Sequence, residues 1–507
     1  MKRLWLALAL PVGLAFLIPA ACSAGAEGDP TGSSSSSAGT AGGGGIMDGC
    51  GDCMGNVYTP CNADGTPGTP VECVEPQVCS PGVGCTDCLA GETFCIGNEV
   101  WSCTAEGTAG SLVETCDVNA GFVCHEGECK TGCDIADDQP SNVGCEFWAV
   151  DLDQVDSFND PASAPWGVAL SNASQMTANV TIEYNDTAPG DPPSPTIQHQ
   201  VSLLPGQLEQ VILPTRELDC GPAPNDYFAP GTCLSSNAYR ITSSSPIVVY
   251  QFNVFENAYS NDASLLLPTN ALGQIYRVIG WSPGHPVPIQ LMGNISDRSY
   301  VTIVGTEEGT TVTVRPSWRI KGNGNIPLTQ PGETIQVDLG AFDVLNLETD
   351  DATFQEATQP LVADLTGTTV ESNKPVAVFS GVESTSAPYH VDIPTYPGWD
   401  SEDTCCLDHL EEQMFPMESL GQKFIITRSP IRSTGSYHEP DVLRFVGAAE
   451  TATVQTSLPA PLDNFTIQPG EVVDTWADKD VGLVVAAGGA DRAAGDDEFL
   501  AKRFHGE

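Results

Sequence analysis

Two adjacent cysteines, one histidine and three carboxylates fall within twelve residues in CCLDHLEEQMFP, Cys405 to Pro416. Such residues can build a metal site on His409, Glu411 and Glu412, a nucleophilic thiol, or a cross-linked scaffold. The spacing matches neither HExxH nor a closed zinc set. A thiol outside the cytoplasm must also be protected from oxidation to act as a nucleophile. The scaffold reading is therefore preferred, with Cys405 and Cys406 oxidised to each other or to Cys220 and Cys233. Adjacent cysteines form a strained pair, which keeps the second pairing open.

Other constellations are sparse. The chain has no G-x-S-x-G, no Walker loop and no dinucleotide fingerprint. Its seven histidines, His125, His199, His285, His390, His409, His438 and His505, are scattered. No catalytic residue and no metal site are assigned. Among 66 Asp+Glu, glycosidase-type pairs are not singled out by the sequence. The acidic runs AVDLDQVD (149–156) and WDSEDT (399–404) carry the hard oxygen ligands that calcium takes, but no EF-hand spacing. They are read as solvated acidic loops, and calcium is the one cofactor the residues would suit.

The elements that must position these residues belong to a chain of 507 residues, too long for one ordinary domain. Its 19 Lys+Arg against 66 Asp+Glu give a net charge of −47, which excludes nucleic acid as a natural partner. Apolar residues make up 41%, enough for sizeable cores, so the acidity belongs to the surface of folded domains. The start, MKRLWLALALPVGLAFLIPAACSAG, has a charged beginning at Lys2 and Arg3, a short apolar run and small residues before Cys22. It reads as a bacterial export signal. Ala20, Ala21 and Cys22 resemble a lipobox that would lipidate Cys22 and anchor the chain in a bilayer; Pro19 departs from the pattern. Ala24-Gly25-Ala26 offers a competing cleavage that would release the protein. The Gly/Ser-rich stretch that follows is the tether an anchored protein needs, which favours the lipoprotein.

Export places the cysteines in an oxidising compartment. Apart from Cys22, eighteen remain: fourteen between Cys50 and Cys145, the pair Cys220 and Cys233, and the pair Cys405 and Cys406. The first group is poor in aliphatics, so disulfides must replace a missing core. The CxxC pairs Cys50/Cys53 and Cys85/Cys88 have zinc-ribbon spacing, but disulfides are favoured in an exported chain. Cys220 and Cys233 bracket a turn-rich loop and read as a local staple.

From Phe147 onward, short runs of Val, Ile, Thr, Phe and Tyr alternate with period two between turn residues, as in ANVTIEY, PIVVYQF, YVTIVG and PVAVFSG. They are half-buried strands of antiparallel sheets, in sandwich-like or propeller-like modules. SSPIVVYQF (244–252) recurs as NKPVAVFSG (373–381). LLLPTNALGQIYRVIGW (265–281) recurs as EQMFPMESLGQKFIITR (412–428), setting Pro268, Gly273, Gln274 and Tyr276 against Pro416, Gly421, Gln422 and Phe424. YVTIVGTEEGTTVTV aligns with VLRFVGAAETATVQT, and Pro331-Gly332-Glu333 with Pro469-Gly470-Glu471; Pro205-Gly206-Gln207 is a third such turn. After Lys479 the chain becomes Ala/Gly-rich and charged, the texture of a truncated or frame-shifted end.

DHLEEQMFPMESLGQKFII, together with PWGVALSNASQMTANVTIEY, YQFNVFENAYSNDASLLLPTNALG and NKPVAVFSG, resembles the N-terminal domain of the IgG Fc-binding protein family, which includes bacterial surface proteins and lipoproteins. The resemblance runs from about Phe147 to Lys479, and its signature is Asp408, His409, Gln413 and Pro416. It implies an extracellular, non-enzymatic β module used in surface binding or adhesion, without implying that this chain binds antibody. The expectation is thus an all-β protein: signal 1–22, linker 23–49, disulfide-rich segment 50–145, β-repeat region 146–480 and atypical tail 481–507. It would sit at the outer membrane facing outward, or be secreted, and bind surface glycans, glycoproteins or an envelope component. A self-associating stalk or coat lipoprotein is the alternative, and an exported hydrolase the third.

Overall fold

The structure, a computed structural model, describes residues 50–75, 77–155, 161–218, 231–255, 260–288, 296–387, 407–431, 438–487 and 499–504. The signal stretch, Cys22, Cys220, Cys405, Cys406 and the 399–404 acidic run lie outside these residues. Contacts divide the chain into two compact units, 1–115 with 126–128, and 116–125 with 129–507.

The first unit is a set of short antiparallel strands such as Thr93–Ile96, Glu99–Cys103 and Ala109–Thr115. Among its described residues the buried apolar side chains are Cys73, Cys79, Cys88, Cys103 and Val100. Cystines therefore replace a core, as the composition demands. The pairs are Cys50–Cys61, Cys53–Cys79, Cys73–Cys85 and Cys88–Cys103, so the members of each CxxC go to different partners and form no zinc knuckle.

The second unit opens with disulfides Cys116–Cys129 and Cys133–Cys145 around a short helix, Gly132–Asp138. A capping box between Thr131 and Asp134 starts that helix. Apart from short 3₁₀ turns, the described residues that follow are strands and loops, in three modules with one pairing plan. In the first, the long strand Tyr239–Asn253 pairs through its first half with Gly144–Ala149 and Ala178–Tyr184. Its second half pairs with Gly167–Asn172 and Asp262–Leu265. In the second module Thr369–Thr385 plays that part, first against Gly273–Arg277 and Thr310–Arg315, then against Ser299–Gly305 and Asp408–Gln413. In the third, two strands share the part: Val481–Ala487 pairs with Lys423–Ile426 and Ala452–Thr456, and Phe499–Phe504 with Asp441–Gly447. All these pairings are antiparallel, and each module curls its sheet about the long strand.

The modules share cores. Tyr300, Val304, Phe342, Val344, Ala377 and Phe379 of the second module close the core of the first, and Val446 of the third enters that of the second. Hence Ser299–Gly305 and Asp441–Gly447 are buried on both faces, where alternation alone predicts one. The repeated prolines and glycines have a packing reason. A Cβ added to Gly273 would lie 2.4 Å from the Cβ of Pro416, and one added to Gly144 would lie 2.4 Å from that of Pro268. In both cases a glycine at the start of an edge strand makes room for the proline after its own module's short last strand.

One alignment needs correction. Pro205-Gly206 joins Thr196–Leu203 to Leu208–Ile212 and Pro469-Gly470 joins Asn464–Ile467 to Val472–Ala477, in each case strands that do not pair with each other, but Pro331-Gly332 lies one connection earlier than the equivalent place, inside the hairpin of Thr310–Arg315 and Ile335–Leu339. The second module fills that place with Gly340 to Asp343, where the Gly340 N–H donates to Asp343 Oδ2, as the Gln468 N–H does to Glu471 Oε2. Turn chemistry is local, so the same dipeptide can form the same turn at a different place in the fold.

Candidate functional site

The signature stretch forms the strand Asp408–Gln413, which pairs with the second module's long strand and lies beside the first module's Asp262–Leu265. Side chains reach across to backbone at each step. The Glu411 N–H donates to Asp262 Oδ2 at 2.8 Å, the Gln413 N–H to Ser264 Oγ at 2.8 Å, and the Leu267 N–H to Gln413 Oε1 at 2.6 Å. Asp408 Oδ1 accepts from the Asn261 N–H at 2.9 Å. Asp408 and Gln413 thus join two modules, Pro416 packs against Gly273, and Cys405 and Cys406 lie outside the described residues.

His409 is 1% exposed. Its Nε2 stands 3.3 Å from the Tyr300 hydroxyl and 3.5 Å from Glu411 Oε2. Burial pushes the imidazole down to about 3 and the Glu411 carboxyl well above its usual range, with Asp262 adding to the latter. Both shifts favour an uncharged pair. Tyr300 is also held well above its ordinary value, by burial first and then by Glu411, Asp153, Glu383 and Asp262. Gly381, in register with both Tyr300 and Glu411, leaves space for the phenol: a Cβ there would lie 2.2 Å from its oxygen.

The run 149–156 departs from expectation. Asp151, Leu152, Asp153 and Gln154 are all at most 2% exposed, so this is no solvated loop. It is drawn inward by amides: Gln251 Oε1 accepts from the Val150 N–H at 2.9 Å, Asn253 Nδ2 donates to Leu152 O at 2.6 Å, and Gln154 Nε2 to Asn253 O at 2.6 Å. Asp151 accepts from the Arg216 N–H at 2.9 Å, and burial with Glu217 nearby raises its carboxyl well above the usual range.

Asp153 meets Glu348 and Glu383 there, with carboxylate oxygens of all three within 4.8 Å of one another. Glu348 ends the strand Val344–Glu348 and Glu383 lies near the end of the long strand. Arg298 borders the group. Its N–H donates to Glu383 Oε2 at 3.0 Å, its Nε is 3.7 Å from Glu348 Oε2, and its other nitrogens are committed to Thr349 O and Asp351. An oxygen-only set of this kind suits a hard cation. Sequence reasoning reached Asp153 through its run but missed Glu348 and Glu383. The available signal was an acid set into apolar strand sequence, in VLNLE and FSGVES.

Residues 262–493 match the family model described as IgGFc binding protein. That region is similar to the IgGFc-binding family. The match begins at Asp262, in the first module's last strand, whose carboxylate receives the Glu411 N–H; it covers the second module and ends within the third. The rest of the first module lies outside it, although its strand pairing repeats that of the second. No curated protein and no solved structure matches. Among the described residues no helix is long and apolar enough to cross a membrane.

Proposed function

We propose that the chain is an exported surface protein whose β modules bind a glycan, glycoprotein or envelope component without turning it over. The match of residues 262–493 to a family named for binding a protein partner carries this reading. The burial of His409 and Glu411 supports it, because the histidine and acids most suggestive of chemistry lie inside a module joint. Lipidation at Cys22 would hold the protein at the outer membrane, with the residues up to 49 as tether; cleavage at Ala24-Gly25-Ala26 would secrete it.

The test is binding of the oxidised full chain to glycan and glycoprotein arrays that include immunoglobulin Fc, with reduced protein as control. Saturable binding lost on reduction is the expected result. Silence on every array, together with self-association at micromolar concentration, would replace this reading with a structural stalk or coat.

A further inference from the structure

The carboxylates of Asp153, Glu348 and Glu383 come from three separate segments, one that follows the first module's strand Gly144–Ala149 and two in the second module. Bringing them together inside the protein is costly unless a positive charge or protons accompany them. Glu348 is 2% exposed, its Oε2 accepts no hydrogen bond, and the guanidinium nitrogen nearest in ion-pair terms is 3.7 Å away. Space is reserved beside the carboxylates as well. A Cβ on Gly231 would lie 2.2 Å from Glu348 Oε1 and 2.6 Å from Asp153 Oδ2, so the backbone approaches both acids where only glycine fits. The neighbouring Thr232 Oγ1 accepts from the Glu348 N–H at 3.0 Å and fixes the end of that strand.

We propose that Asp153, Glu348 and Glu383 bind one calcium ion, which ties the first module's segment after Gly144–Ala149 to the second module's sheet. Three hard anionic oxygens, with no nitrogen or sulfur ligand among them, select calcium over transition metals. Irregular spacing from three segments tolerates calcium's variable geometry better than the strict octahedron of magnesium. The inference does not depend on what the modules bind.

The full mature chain, stripped with EDTA and kept at physiological salt to screen its acidic surface, is titrated with calcium by calorimetry and by thermal melting. Expected is about one equivalent bound with a dissociation constant near ~10⁻⁴ M or tighter, and a rise in melting temperature that magnesium at equal concentration does not reproduce. Glu348→Gln should weaken binding at least ~10-fold and remove that rise. Should this variant fail to fold, metal analysis of the wild-type chain after gel filtration in calcium decides: about one calcium per chain, removable by EDTA, supports the site. No stoichiometric calcium in the wild type, or an undiminished response in folded Glu348→Gln, overturns it.

Discussion

His409 shows how burial changes a residue's meaning. A histidine beside two glutamates invites a catalytic or metal reading, but sealed against Tyr300 it is held neutral, with its folded pKa lowered to about 3 from 6.5. A base depressed in the folded state contributes stability that is complete above the unfolded value and is lost as pH falls from 6.5 toward 3. Glu411 and Asp151 act oppositely: their raised carboxyls contribute stability below their unfolded values of 4.5 and 3.8 that is lost as pH rises. The histidine's share is therefore read as a difference. In urea unfolding, the stability gap between wild type and His409→Gln should shrink as pH falls from 7 to 4, by up to ~1.4 kcal/mol per unit below the unfolded pKa. A gap independent of pH would show that His409 titrates normally.

At the scale of elements, the close approaches within and between modules hold the most sensitive positions. Gly273→Ala should destabilise by ~1–3 kcal/mol, because the new methyl meets Pro416 backed by a short 3₁₀ turn. Gly421→Ala, which meets nothing within 4 Å, should change stability by less than ~0.5 kcal/mol. Equal effects in denaturant melts would refute the packing explanation of the repeat. The joint between the second and third modules rests on Arg444, 2% exposed, which lies over Trp281 at 4.0 Å. Its guanidinium grips Asp474 through two 2.7 Å bonds and reaches Asp364 and Gly280 O at 2.7 and 2.6 Å. Arg444→Ala leaves two carboxylates behind and should cost ~3–5 kcal/mol, while Arg444→Lys should also lose stability because an ammonium cannot make the fork. Urea midpoints for both variants check this.

For the whole molecule, the two units have different sources of stability. The first has Val100 as its buried aliphatic and closes loops of 11 to 26 residues with four cystines, each contributing ~3 kcal/mol on the chain-entropy view. The second has continuous apolar cores that run from one module into the next. Reduction should therefore abolish hydrogen-exchange protection across residues 50–115 while Ser299–Gly305 and Asp441–Gly447 keep theirs. Loss of protection in both units together would mean that the sheets depend on the cystines.

Composition and period-two alternation by themselves determined an all-β chain with a cystine-built segment, because both follow from local counts of apolar and cysteine residues. The repeat was legible too, since Pro268 and Pro416 meet the same steric demand in each module. Tertiary structure alone decided where the strands bury both faces, which strands each Pro-Gly turn joins, and which acids converge. Asp153, Glu348 and Glu383 are 230 residues apart at their widest separation, 153 to 383, and no local pattern connects them. Their meeting depends on how one module's sheet seats on the next, and that is settled by side-chain shape across the shared core.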